Sequence, residues 1–482
     1  MTQFFFKPEE GWAGDFTPYY AEDSFKLFYL KDHRNGGREG FGKDWNLVTT
    51  EDFVDFNDLG PTGIYGGTGS VIQVEDTYHI FYCRAISPKE QIISHAISDD
   101  LENWEKKPED DFPSDGEIYE KADWRDPHVF WNEEEEEYWM LVCGRTKEGE
   151  SDRKGCVGLC TSQDLKNWEI KKPFYAPNMS VKALECPDIF KMGDWWYLVF
   201  STTTDKFGTF YRMSKSMTGP WKSPPIDTFD GRAFYAGKTC KGAPGSKIYT
   251  EGEKRYIFGW NPTKEGEYGW NPGINNGLDY DSWDWGGSLI VHRLIQKEDG
   301  TLRVKVPKTI KDAFKKEIPL RFSRTSGKWD IDDNRLRGES PLYFSQAIAQ
   351  ELPEQCRISG IVSYEDGTRG FGISLRTQED LANGYYVELE PNRNRIVYKS
   401  YIMQDPRMVP AYEVEIERPV DLIPEKDYGF EVLIDDSVCE FYLGDEVAMS
   451  MRMYDLEDGR VGLFVREGEA SFKDIKLSVH RD

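Results

Sequence analysis

Along most of the chain hydrophobic and polar residues alternate at a period of two, in short runs separated by turn residues. Tyr78-His79-Ile80-Phe81-Tyr82, Tyr138-Trp139-Met140-Leu141-Val142 and Trp196-Tyr197-Leu198-Val199-Phe200 are three such runs. Side chains spaced in this way fall on the two faces of a β-strand. Between the runs a turn recurs: Glu51-Asp52-Phe53-Val54-Asp55-Phe56, Asp99-Asp100-Leu101-Glu102-Asn103-Trp104 and Gln163-Asp164-Leu165-Lys166-Asn167-Trp168, with a degenerate copy ending at Gly219-Pro220-Trp221. A unit of roughly 50–60 residues built from strands and one such turn fits a four-stranded propeller blade. Inner strands are expected after Asp15, after Gly69-Ser70, after Asp126, after Glu185 and after Tyr235-Ala236. Five inner strands predict a five-bladed β-propeller over residues 1–307.

The stretch Thr309 to Lys316 changes the pattern, because Ile310 and Phe314 stand four apart as on one face of a short helix, ended by Pro319. Residues 308–319 therefore read as a linker. Beyond it the period of two returns, in Phe371-Gly372-Ile373-Ser374-Leu375, Tyr385-Tyr386-Val387-Glu388-Leu389, Phe430-Glu431-Val432-Leu433-Ile434 and Val461-Gly462-Leu463-Phe464-Val465. Strands without helices over residues 320–482 predict a C-terminal β-sandwich. The fold class expected is all-β.

Composition narrows the partners. A net charge of −26 argues against nucleic acid and anionic membrane surfaces. No stretch approaches the length of a membrane span, and the N-terminus lacks the basic and apolar regions of a secretion signal. The 8 cysteines are scattered, several inside strand patterns, as expected of buried thiols in a reducing, cytoplasmic compartment. Neither metal-ligand spacing nor a Gly-rich phosphate cradle is present, so no metal and no cofactor are expected. The 15 Trp are a surplus that suits a sugar site, where a flat apolar face meets a polar rim.

The chemistry is carried by carboxylates. Asp126 precedes Pro127-His128-Val129-Phe130, Glu185 shortly precedes Pro187-Asp188-Ile189-Phe190, and Asp15 stands shortly before Pro18-Tyr19-Tyr20. Three acids at equivalent points of a repeating unit are expected to converge on the propeller axis. Converged carboxylates are the equipment of glycoside cleavage, in which one acts as an acid and another as an anion.

With these residues in place the chain resembles glycoside hydrolase family 32, the invertase, fructanase and β-fructosidase family. Trp12-Ala13-Gly14-Asp15 is similar to the family's Trp-x-Asn-Asp, Arg125-Asp126-Pro127 to its Arg-Asp-Pro and Glu185-Cys186 to its Glu-Cys. Asp230 through Tyr235-Ala236-Gly237-Lys238 resembles its Asp-…-Tyr-Ala-x-Lys/Gln stretch, and Phe258-Gly259-Trp260 its Trp-Gly-Trp. The resemblance implies a retaining hydrolase of terminal β-fructofuranosyl residues in sucrose-like sugars or short fructo-oligosaccharides. In that mechanism Asp15 is the nucleophile, Glu185 the acid/base and Asp126 the third carboxylate. Substrate contacts are expected from Trp12, Phe41, Trp45, Thr68, Arg125, Asp230, Lys238 and Trp260. Departures fall around the glycone: Gly14 stands for the family's Asn, Leu30 for its Gln, and Phe41-Gly42 for its Trp-Gly. Two alternatives stay open, an inverting five-bladed arabinofuranosidase or xylosidase and a non-catalytic carbohydrate-binding relative. The expected partner is a small carbohydrate, with a homo-oligomer contact through the sandwich as a further possibility.

Overall fold

The computed structural model describes residues 3–34, 43–204, 207–242, 254–264, 283–332, 334–402 and 416–480. It is almost wholly β and divides into two units. The first comprises Met1–Thr228, Phe234–Pro262 and Gly286–Leu302; the second comprises Phe229–Ala233, Thr263–Trp285 and Arg303–Asp482.

In the first unit the chain runs as five antiparallel meanders. Their first strands are Trp12–Ala21, Gly69–Val74, Tyr119–Asn132, Glu185–Met192 and Tyr235–Lys241. Each packs beside the next, and the fifth packs beside the first, so the five close into a ring. The middle strand of each meander is covered on both faces, which explains near-continuous apolar runs such as Tyr197 to Phe200, all fully buried. The recurring turn takes one conformation in its three full copies. Ser98 Oγ accepts from Leu101 N at 3.0 Å, while Asp100 Oδ1 accepts from Glu102 N and Asn103 N at 2.9 and 2.8 Å. Ser162 and Asp164 make the same bonds, and Thr50 with Asp52 makes their counterpart. Phe53, Leu101 and Leu165 all take a left-handed φ there, at 64°, 65° and 64°. The side-chain bonds hold apolar residues in a conformation they otherwise avoid.

Four of the five first strands carry a β-bulge at the same place. Pairing with the second strand breaks between Gly14 and Thr17, Arg125 and His128, Glu185 and Asp188, and Tyr235 and Lys238. Two residues there face one on the partner strand, and the first of the two has a left-handed φ: Asp15 at 47°, Asp126 at 55°, Cys186 at 50° and Ala236 at 53°. Pro127 and Pro187 fill the second unpaired position, where a missing N–H costs no ladder bond. Asp is among the residues that tolerate the left-handed region, so the nucleophile candidate also serves the backbone.

The second unit is a sandwich whose sheets are joined by one long strand, Arg460–Val479. Its first half pairs with Gly370–Thr377 and its second half with Gln355–Tyr364. A strand that leaves one sheet and enters the other turns a corner of the sandwich. The core between the sheets includes Phe371, Ile373, Val387, Val432, Phe441 and Leu463. The expected linker is not a tether. It contains the helix Lys308–Ala313, with Ile310 buried, and the strand Lys316–Ile318, which pairs with Val479, Ser478 and Leu477 of the long strand. The main stretch of the second unit begins at Arg303, and the unit also takes up Phe229–Ala233 and Thr263–Trp285.

Candidate active site

The repeated bulge decides which side chains meet. Asp15 and Asp126 occupy the left-handed bulge position itself, whereas Glu185 comes one residue earlier and Cys186 takes the bulge. The expectation of three equivalent positions therefore holds for the two aspartates and not for the glutamate. The offset gives Glu185 different neighbours. In register it matches Gly14, Arg125 and Tyr235, and two of these are its partners: Arg125 Nη2 donates to its Oε1 at 2.7 Å and the Tyr235 hydroxyl donates to its Oε2.

Asp126 is buried and accepts from Cys186 N at 3.0 Å through Oδ2, with the Cys186 and Cys83 thiols alongside. Arg125, 8% exposed, also donates to Asp123 at 2.6 Å and lies 3.9 Å from Asp126. Asp15 Oδ1 accepts from Trp260 Nε1 at 3.1 Å. Burial pushes the Asp15 carboxyl up from 3.8 to about 7, and the charges of Asp126 and Glu185 push the same way, against the Trp260 N–H and the Lys238 ammonium. Asp126 is also raised, chiefly by burial, with Arg125 opposing. Three carboxylates crowded with two cations form a site that favours positive charge.

Two residues past each left-handed bulge residue lies a second tier: Thr17, His128, Asp188 and Lys238, all but His128 almost fully buried. Lys238 Nζ donates to Gly69 O, and its charge draws Asp15 and Asp126 down. His128 Nε2 faces Asp188 at 3.4 Å, and Asp188 Oδ2 accepts from Thr239 N at 2.7 Å. Burial pushes His128 down to about 4, so its ring is neutral near pH 7. Lys238, expected to touch sugar, instead sits in this lower tier. Thr68 is also covered, its hydroxyl 3.3 Å from that of Thr17 and 3.4 Å from the Asp15 carbonyl.

Two expected contacts have other partners. Trp45 is 1% exposed, and its Nε1 donates to Gly67 O at 2.9 Å, so the indole is core between Phe28 and Tyr82. Asp230 belongs to the second unit. Its carboxylate accepts from Ser450 N at 2.7 Å and from the Ser450 hydroxyl, and its carbonyl accepts from Arg418. Ser450 Oγ also lies 2.7 Å from Glu440, whose carboxyl is pushed well above the usual range by burial and by the Asp230 charge. Trp12, half-buried, lies three residues before Asp15 with Lys7 Nζ 5.4 Å from its ring. Phe41 lies outside the described residues.

Sequence reading passed over Tyr235, although it stands in the quoted Tyr-Ala-Gly-Lys run; aligning the bulges would have placed it opposite Glu185. Phe207, stacked on Tyr235 with ring centroids 4.4 Å apart, carried no sequence signal at all. Among the described residues no helix is long and apolar enough to cross a membrane.

Residues 5–277 match the model of the "Glycosyl hydrolases family 32 N-terminal domain". The levanbiose-producing levanase of Bacillus subtilis is 23% identical, over 98% of this chain and 89% of its own. Among solved structures, the β-fructofuranosidase of Aspergillus kawachii superposes with a TM-score of 0.73 at 15% identity, covering 99% of this chain and 94% of that one. Sucrose-6-phosphate hydrolase from Lactobacillus gasseri superposes with a TM-score of 0.71 at 15% identity, over 100% and 93%. Because that family model spans more than half of its length, this chain belongs to glycosyl hydrolase family 32.

Proposed function

We propose that the protein is a retaining glycosidase that removes terminal β-fructofuranosyl residues from sucrose-like sugars or short fructo-oligosaccharides, on a five-bladed propeller formed by the ring of meanders. The observation that carries this reading is the unlike surroundings of the carboxylates. Glu185 is held by Arg125 and Tyr235, and Asp15 by Trp260. Environments that differ in this way separate an acid from a nucleophile.

In the proposed reaction the Asp15 carboxylate attacks the anomeric carbon and the glycosidic bond breaks. Glu185 gives its proton to the departing oxygen, leaving a covalent fructosyl ester on Asp15. Water then adds as Glu185 takes a proton back. Asp126, fixed by the Cys186 N–H, stands as the anion that offsets the ring's positive charge and binds its hydroxyls. The positive charge that develops on the ring is attracted to the Asp15 and Asp126 carboxylates, which lowers the barrier more than it favours bound substrate. The free thiols, all 8 unpaired and 7 of them buried, support a reducing, cytoplasmic setting.

Product analysis on sucrose, levan- and inulin-type oligomers and aryl arabinofuranosides tests the glycone. The first-formed anomer tests the mechanism: retention is expected, with an Asp15–Glu185 carboxyl separation of about 5–5.5 Å. Asp15→Ala should lose nearly all turnover and regain it with azide, giving inverted product. Inverted product from the unaltered enzyme would recast Asp15 as a general base.

A further inference from the structure

The wall beside Glu185 is made of rings. Phe207 precedes the strand Gly208–Ser214 and lies on Tyr235 with centroids 4.4 Å apart and planes at 20°. Trp260 meets the same tyrosine at 5.7 Å and 73°. Tyr235 is thus held by one face-on and one steeply inclined contact while its hydroxyl donates to Glu185 Oε2. A phenol hydrogen bond has a direction fixed by the plane of its ring, and that plane is fixed here by what stacks on it.

We propose that Phe207 is a positioning residue for the acid/base: by fixing the plane of Tyr235 it aims the phenol hydrogen at Glu185. This rests on the reading of Glu185 given above. A donor aimed at the carboxylate favours the ionised form and readies Glu185 to release its proton to a leaving oxygen. If Tyr235 tilts away, Glu185 keeps its proton to higher pH and protonates a poor leaving group less readily. A sugar hydroxyl is such a group. A nitrophenolate leaves without help.

The test compares Phe207→Ala and Phe207→Trp with the unaltered enzyme on sucrose and on p-nitrophenyl β-fructofuranoside. Phe207→Ala should lower kcat/KM on sucrose roughly 10-fold, a fraction of what general acid catalysis contributes, and leave the aryl substrate nearly unchanged. The alkaline limb of its pH profile should move upward, and Phe207→Trp should restore the original behaviour. A readout without substrate accompanies these: the infrared titration of the Glu185 carboxyl, taken as a difference from Glu185→Gln, should have its midpoint shifted upward in Phe207→Ala. Equal losses on both substrates, or an unmoved infrared midpoint, would overturn the proposal. If the unaltered enzyme cleaves neither substrate, the fructosidase reading falls, while the infrared midpoint still decides the role of Phe207.

Discussion

Replacing Asp15 with Asn should destroy turnover and stabilise the protein, to an extent that depends on pH in a defined direction. The carboxyl titrates at about 7 in the folded chain against 3.8 for an unperturbed aspartate. Because the folded value is raised, the folded state holds the extra proton, and stability is lost as pH rises from 3.8 through 7. About 3 units at 1.36 kcal/mol each give about 4 kcal/mol as the upper bound of the strain at pH 8. Asp15 is half-buried and opens on solvent, so screening reduces this to roughly 2–4 kcal/mol. Asn is nearly isosteric, still accepts the Trp260 N–H and carries no charge. The assay is guanidinium unfolding of both proteins at pH 5, 6, 7 and 8, followed by tryptophan fluorescence. The stability gap should widen with pH by up to about 1.4 kcal/mol per unit and level off above pH 7. An Asn variant no more stable than the parent at pH 8, or a gap independent of pH, would refute the claim that the carboxylates strain one another.

Asp230→Ala should weaken the second unit by about 1–3 kcal/mol, since Ser450 N and Oγ lose a buried acceptor, and leave KM unchanged; a raised KM with unchanged stability would return Asp230 to the sugar site. Trp45→Phe should cost about 1–3 kcal/mol through the lost Gly67 bond and packing, with kcat/KM on the best substrate unaltered. His79 should make the protein acid-sensitive: its Nδ1 lies 2.9 Å from His95, and burial with the His95 charge pushes it down from 6.5 to about 4. The unfolded chain then binds the extra proton, so stability falls as pH drops from 6.5 toward 4, and His79→Gln should flatten that part of the curve in a pH-resolved unfolding series.

The strands and the three carboxylates were legible because each has a local cause. Alternation at a period of two needs only a face to bury, and the Asp126-Pro127 and Cys186-Pro187 dipeptides mark the bulges of their strands. What escaped depends on partners distant in sequence. Nothing near Trp45 shows that its N–H is taken by Gly67, 22 residues on. Asp230 reads as a site residue because it precedes Tyr235 in the motif, yet its carboxylate is claimed by Ser450, 220 residues away. The unit boundaries at Phe229 and Ala233 were invisible for the same reason: five residues that join another unit carry no change of periodicity. Glu185 was misplaced by one position because the tripeptides show which residue is acidic and the strand pairing alone shows which is bulged.

That one-residue offset amounts to a grammar of two slots. The slot before the bulge holds Gly14, Arg125, Glu185 and Tyr235, and the bulged slot holds Asp15, Asp126, Cys186 and Ala236. In the third to fifth meanders the first slot carries groups that hydrogen-bond one another, whereas the aspartates sit where the backbone turns left-handed. Exchanging Glu185 and Cys186 would keep composition, charge and the bulge-compatible proline, yet move the acid from one set of partners to the other. Such a protein would hold the same three carboxylates with a thiol in the slot that Arg125 and Tyr235 address, so the partners of an acid in this fold are specified by phase along the strand as much as by residue type.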